Sequence, residues 1–168
     1  MRKILFTLFL MISSVTYGQT STAAYVNLRY GNEREFKSAD HMYHTMGIQF
    51  GSMLTDEWGL EIDYSYGFGN NNVDYNRLGL NGVYQFINMT PNATPFIKLG
   101  VAHKAFKLNG DEEHGCDIKL GGAINIPLYN SISLNLGINI SNCIFGDSRD
   151  SWGNNVFEIE TGINFIIY

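Results

Sequence analysis

The chain has 168 residues, room for one domain of ordinary size, and is 45% hydrophobic and 16% charged. A charged share below the usual ~25% with this apolar content excludes an intrinsically disordered chain, and 18 glycines with three prolines and no G-X-Y period exclude a collagen-like one. A net charge of -5 without any basic run excludes a nucleic-acid binder held by a positive field.

The N-terminus has the shape of a secretory signal peptide. Arg2 and Lys3 form a charged start, Ile4 to Ile12 is apolar, and small Gly18 follows Ser13, Ser14 and Val15. The expected organisation is therefore a signal peptide over 1–18 and one domain over 19–168. The apolar run is shorter than the ~20 residues a membrane-spanning helix needs, and no other segment is apolar for that length. A helical membrane protein is excluded, but a membrane protein that crosses with strands is not.

From Ala24 onward, apolar residues recur at every second position. Ala24, Val26, Leu28 and Tyr30 oppose Tyr25, Asn27 and Arg29, and Met46, Ile48 and Phe50 oppose Thr45, Gly47 and Gln49. The longest run sets Trp58, Leu60, Ile62, Tyr64, Tyr66 and Phe68 against Gly59, Glu61, Asp63, Ser65 and Gly67. A helix would mix the two sets on every face, whereas a strand separates them. The alternation returns around Leu78 to Phe86, Ile97 to Val101, Ile118 to Ile126, Ile132 to Ile140 and Phe157 to Phe165, which makes eight predicted strands. At about 9 to 11 residues each, they match the length of a tilted strand crossing a bilayer. Short connections are expected at Thr55 to Glu57, Ile87 to Thr94 and Pro127 to Ser131. Longer ones are expected at Gly31 to Tyr43, Gly69 to Asp74, Lys107 to Gly115 and Cys143 to Asn155, the layout of an outer-membrane barrel. Pro91, Pro95 and Pro127 all fall at the short-connection end, as residues that cannot donate to a ladder should.

Eight alternating strands fit either a soluble lipocalin-like barrel with an apolar interior or a membrane barrel with its apolar face outside. A wet outer face would be rich in Lys and Glu, yet the polar set here is mostly Gly, Asn, Ser, Gln and Ala with few charges. Small residues around a few matched charges suit the narrow lumen of an eight-strand barrel. The expected fold is thus all-β, an eight-stranded antiparallel up-and-down transmembrane β-barrel. Its lumen charges are Arg29, Arg77, Lys98, Lys104 and Lys119 against Glu61, Asp63, Asp117, Glu158 and Glu160. Closure of the first strand on the last brings Arg29 level with Glu158 and Glu160. Neighbouring strands bring Asp63 near Arg77 and Lys104 near Asp117, because a lone buried charge is costly. Trp58, Tyr64, Tyr66, Tyr84, Phe86 and Phe165 lie near strand ends, where an aromatic girdle is expected.

The segments LGLNGVYQF (78–86) and TPFIKLGVA (94–102), within strands that span nearly all of 23–168, resemble the small outer-membrane barrels of the OmpA/OmpX type. That resemblance implies a Gram-negative outer-membrane location. It also implies contact with outer-membrane lipids and lipopolysaccharide, and insertion by the outer-membrane assembly machinery. The family usually ends on an outward aromatic; Tyr168 is aromatic but off the phase of Phe157, Ile159, Ile163 and Phe165.

The two cysteines, Cys116 and Cys143, sit at the loop end of the sixth and seventh strands, nearly equidistant from the turn around Tyr129. A cross-strand disulfide is possible in an exported protein, although alternation puts Cys116 outward and Cys143 inward, so that a bridge needs a bulge. His41 and His44, with Asp40, make at most a weak metal site without a further ligand at recognisable spacing and read as a solvated loop, and Asp111, Glu112, Glu113 and His114 read as a solvated acidic loop tip. Lipid A deacylases on this fold carry a His followed two positions later by Ser. None of His41, His44, His103 or His114 is so followed, and no catalytic, cofactor or metal residue is expected. The expected role is a monomeric barrel with a plugged polar lumen, acting structurally or through surface loops on a ligand of unknown identity. A narrow small-solute or ion channel is the alternative.

Overall fold

A computed structural model describes residues 23–35, 42–69, 74–87, 89–90, 92–108, 111–146 and 155–167. The expected signal peptide, Asp40, His41, Pro91 and Tyr168 lie outside the described residues. Eight strands follow one another as β1 (Ala24–Glu35), β2 (Met42–Met53), β3 (Trp58–Gly69), β4 (Asp74–Gln85), β5 (Thr94–Leu108), β6 (Asp111–Tyr129), β7 (Ile132–Gly146) and β8 (Asn155–Ile167). Each pairs antiparallel with the next, and β1 pairs with β8, so the sheet closes into a barrel without an edge.

The register fixes the barrel's shape. From Tyr30, paired partners in one direction run through Met46, Tyr66 and Asn76 to Ala105 on β5. In the other direction they run through Thr161, Leu136 and Ile124 to Pro95. The offset of ten residues between Ala105 and Pro95 is the shear of the closed sheet. Strands about 4.8 Å apart that rise about 3.3 Å per residue must then tilt by roughly 40°. Each residue climbs about 2.5 Å along the axis at that tilt, so a twelve-residue strand climbs about 30 Å, enough for an apolar band of about 25 Å.

The two faces have opposite chemistry. Arg29, Gln49, Asp63, Arg77, Asn81, Lys119 and Glu158 are buried inside, while Leu28, Phe50, Leu60, Leu80, Leu99, Leu120 and Ile138 are about half exposed outside. A soluble barrel would require the reverse, so the lipocalin-like alternative fails on burial. Trp58 and Tyr84 pack at 4.7 Å between ring centroids, and Tyr84 and Phe86 at 5.1 Å, at the end bearing the short turns. Tyr64 and Tyr66 lie toward the opposite end.

The strands overrun their expected limits, reaching 12 to 19 residues. The long third loop expected over 107–115 is instead a strand hairpin, paired as far as Leu108 opposite Asp111. The reason is continued alternation: Lys104 and Phe106 still point inward beyond His103. Glu112, Glu113 and His114 therefore stand on β6 rather than on a loop tip. Pro95 and Pro127 likewise lie within β5 and β6, close to their turn ends.

The register slips between Cys116, opposite Phe145, and Asp117, opposite Cys143. β7 then ends at Gly146, whose φ of 116° disfavours any side chain and where a Cβ would fall 2.1 Å from the His114 carbonyl oxygen. Both cysteines are free thiols in this structure. The slip sets the pair diagonally instead of directly opposite, and the Cys143 thiol donates to the Phe145 carbonyl at 3.4 Å.

Candidate functional site: the charged lumen

Among the described residues, eleven charged side chains are buried inside the barrel: Arg29, Arg77, Lys98, Lys104 and Lys119, with Glu33, Glu61, Asp63, Asp117, Glu158 and Glu160. They are there because every second residue of a strand must face the lumen. Six of the eight strands supply them. β2 and β7 supply uncharged polar groups, Thr45 and Gln49 from one and Ser133, Asn135, Asn139 and Ser141 from the other.

Arg29 is the centre of the arrangement. It lies 2.5 Å from Glu160 and 3.3 Å from Glu158 on β8, and 3.7 Å from Asp63 on β3. Arg77 reaches Glu158 at 2.9 Å and Glu33 at 3.4 Å. Lys104 bridges Glu33 at 2.6 Å and Asp117 at 3.4 Å, Lys98 lies 3.0 Å from Glu61 and 3.9 Å from Glu160, and Lys119 lies 3.7 Å from Asp63. Among the described residues, these ten contacts join all eleven groups into one branched network without a closed loop. Neutral groups complete it. The Asn81 amide donates to Glu61 and Asp63, Thr45 donates to Glu158, Tyr25 donates to Glu61 at 2.8 Å, and Tyr75 donates to Glu33.

The structure thus brings Arg29 to Glu158 and Glu160, and Lys104 to Asp117. Asp63 stands within 4 Å of Arg29 and Lys119, while Arg77 turns to Glu33 and Glu158. Glu33 is the group the sequence reading leaves out. It continues the inward set Arg29, Gly31, Glu33, and that period of two is the signal that could have found it.

Apolar side chains close both ends of the network. Tyr43, Tyr75 and Phe106 cluster above it at the loop end, and Val83, Phe96 and Ala123 below it at the turn end. A cavity of about 20 Å³, lined in part by Asn27, Glu61, Lys98, Asn135 and Asn164, lies in the lower half, room for about one water. Among the described residues, no cluster of His, Cys, Asp and Glu could hold a metal ion.

A sheared, closed, eight-stranded sheet with its apolar face outward and its charges inside defines the class of transmembrane outer-membrane barrels. Residues 4–165 match the outer membrane protein beta-barrel domain, and the chain belongs to that family, in the outer membrane of the Gram-negative envelope. Among solved structures it is similar to Neisserial surface protein A, with a TM-score of 0.62 at 11% identity over 87% of this chain and 97% of that one. It is similar to Ail, the attachment invasion locus protein of Yersinia pestis, with a TM-score of 0.56 at 10% identity over 87% and 97%. It is also similar to the outer-membrane enzyme PagL, with a TM-score of 0.56 at 16% identity over 85% and 99%. At these identities the likeness is one of fold, and it spans proteins with and without an enzyme's task. No curated protein sequence matches the chain.

Proposed function

We propose that this protein is a closed, non-conducting barrel that supports the envelope and acts through the segments joining its strands at the loop end, which faces the cell exterior. The observation that carries the reading is the plugged lumen: one ion-pair network fills it, and apolar side chains cover both ends. A conducting pore needs a continuous wet path, and eight strands leave room for little beyond side chains. Contact chemistry then belongs to the exterior. A contact role is supported by Ail, a protein of the same fold whose structure is also known in complex with the heparin analogue sucrose octasulfate. A narrow channel is the weaker reading, because the cavity in the lower half has room for about one water and the ion-pair network fills the space above it. Lipid A chemistry of the deacylase type is weaker too, since no histidine is followed two positions later by serine.

On this reading residues 1–18 direct export and are removed, leaving 19–168 as the inserted barrel. The assembly machinery of the outer membrane places it there as a monomer in contact with lipid and lipopolysaccharide. An epitope inserted after Asp150 should be labelled on intact cells, and the purified protein should give no conductance steps in a planar bilayer. Discrete steps, or an epitope reached only after the outer membrane is opened, would overturn the reading.

A further inference from the structure

The lumen charges do not balance. Among the described residues, six buried carboxylates stand against five buried cations, an excess of one negative charge inside the barrel. A buried charge without a counterpart is costly, and a cation taken from solution offsets it if the lumen has a place for one. The cavity in the lower half, about 20 Å³ in volume, is such a place.

The register sets its lining. Asn125 on β6 stands opposite Asn135 on β7, and Asn164 on β8 stands opposite Asn27 on β1, so asparagines from four neighbouring strands gather on one side of it. The Asn27 amide nitrogen donates to Gln49 Oε1 at 2.8 Å, and that of Asn135 donates to Asn125 Oδ1 at 2.8 Å. Their oxygens are left over. The Oδ1 atoms of Asn27, Asn135 and Asn164 are all buried and, among the described residues, none has a hydrogen-bond partner. Glu61 lines the same cavity and accepts from Tyr25 at 2.8 Å. Lys98 lines it too, but its ammonium is turned to both Glu61 oxygens at 3.0 Å and to Gln49 Oε1 at 3.3 Å. Gln85 and Asn125, half-buried at the turn end, give an ion a way in.

Three unpartnered amide oxygens and a carboxylate outnumber the two hydrogens of a water molecule, and water leaves the excess charge uncorrected. A divalent cation takes more oxygens, several of them carboxylate, and would overshoot a single negative charge. We propose that this cavity binds one monovalent cation, an alkali ion of about the size of water, through the Oδ1 atoms of Asn27, Asn135 and Asn164 beside Glu61. Such neutral, hard oxygens are the donors an alkali ion takes in place of its hydration shell. The site is a resting place rather than a path, since the ion-pair network stands above it. It does not depend on what the loops contact.

The test follows the side-chain amide signals of the full folded barrel by nuclear magnetic resonance in zwitterionic micelles. Rubidium chloride replaces tetramethylammonium chloride at constant ionic strength, so that occupancy is read apart from screening. The expected result is a saturable shift of the Asn27, Asn135 and Asn164 amides, while Asn76 on the outer face stays in place. Sodium and potassium chloride then show which alkali ion fits best. Glu61→Gln, which removes the excess charge, and Asn164→Leu, which removes one oxygen, should each weaken binding by about tenfold or more. Asn135→Asp adds a carboxylate at nearly constant size and should tighten binding, which keeps the test open if the other two variants do not fold. The proposal is overturned if the wild-type amides show no saturable shift, or if the folded variants share the wild-type midpoint, the mark of an adventitious ion only.

Discussion

Arg29 touches three carboxylates on two strands other than its own. Removing it divides the network into three parts: Asp63 with Lys119; Glu61 with Lys98 and Glu160; and Arg77 and Lys104 with Glu33, Asp117 and Glu158. Arg29→Met should therefore lower stability by about 3–5 kcal/mol, the cost of breaking a buried ion pair from one side. Among the described residues, Lys119 sits at the end of one branch, with a single ion pair at 3.7 Å and no hydrogen bond from its ammonium. Lys119→Met should cost less than half as much, since the desolvation of that ammonium is poorly compensated. Urea midpoints of the folded band measure both, and equal losses would show that the lumen does not have a centre.

Glycines on the strands decide where the long side chains can lie. A Cβ at Gly47 would fall 2.9 Å from Arg29 Nε and 2.7 Å from the Tyr64 carbonyl oxygen. Gly47→Val is therefore expected to displace Arg29 and destabilise by about 1–3 kcal/mol, as overpacking does. Gly82, on the outer face of β4, has only the Leu99 carbonyl oxygen near its Cβ position, at 3.7 Å. Gly82→Val should leave stability unchanged or raise it slightly, a contrast that thermal melting of the two variants resolves. The strand ends were the least legible part of the sequence. Glu33 falls in the stretch 31–43 that reads as loop, and Tyr75 lies between the loop expected over 69–74 and the alternation that begins at Arg77, yet both continue the period of two and meet inside the barrel. The faces were readable because a period of two needs only local information. The ends were not, since a strand continues for as long as a neighbouring strand remains to pair with it.

Across the whole molecule, the main stabilising charges are sealed from solvent at both ends. Raising salt to about 1 M, where the Debye length falls to about 3 Å, should leave the unfolding midpoint nearly unchanged, because buried pairs are screened far less than exposed ones. A steep fall would mean that water and ions reach the network. The partners within the lumen were only partly legible for a related reason. Lys104 and Asp117 stand on adjoining strands, so strand order alone brings them close. Arg77 and Glu158, or Lys119 and Asp63, meet across the barrel from strands that never touch. Which of these meet depends on the shear, and alternation holds no record of it.

The seam between β1 and β8 gives the network a further role. A slip of two residues there is the smallest that keeps every side chain on its proper face, and it would yield a shear of eight or twelve instead of ten. Hydrophobic patterning is blind to such a slip. The ion pairs are not: Arg29 lies opposite Gly162, beside Glu160, and would shift by about 6.6 Å relative to both β8 glutamates. Closing the barrel and neutralising its interior are thus one event, so the charges act as a checksum on the final strand pairing, accepting one diameter and rejecting its neighbours.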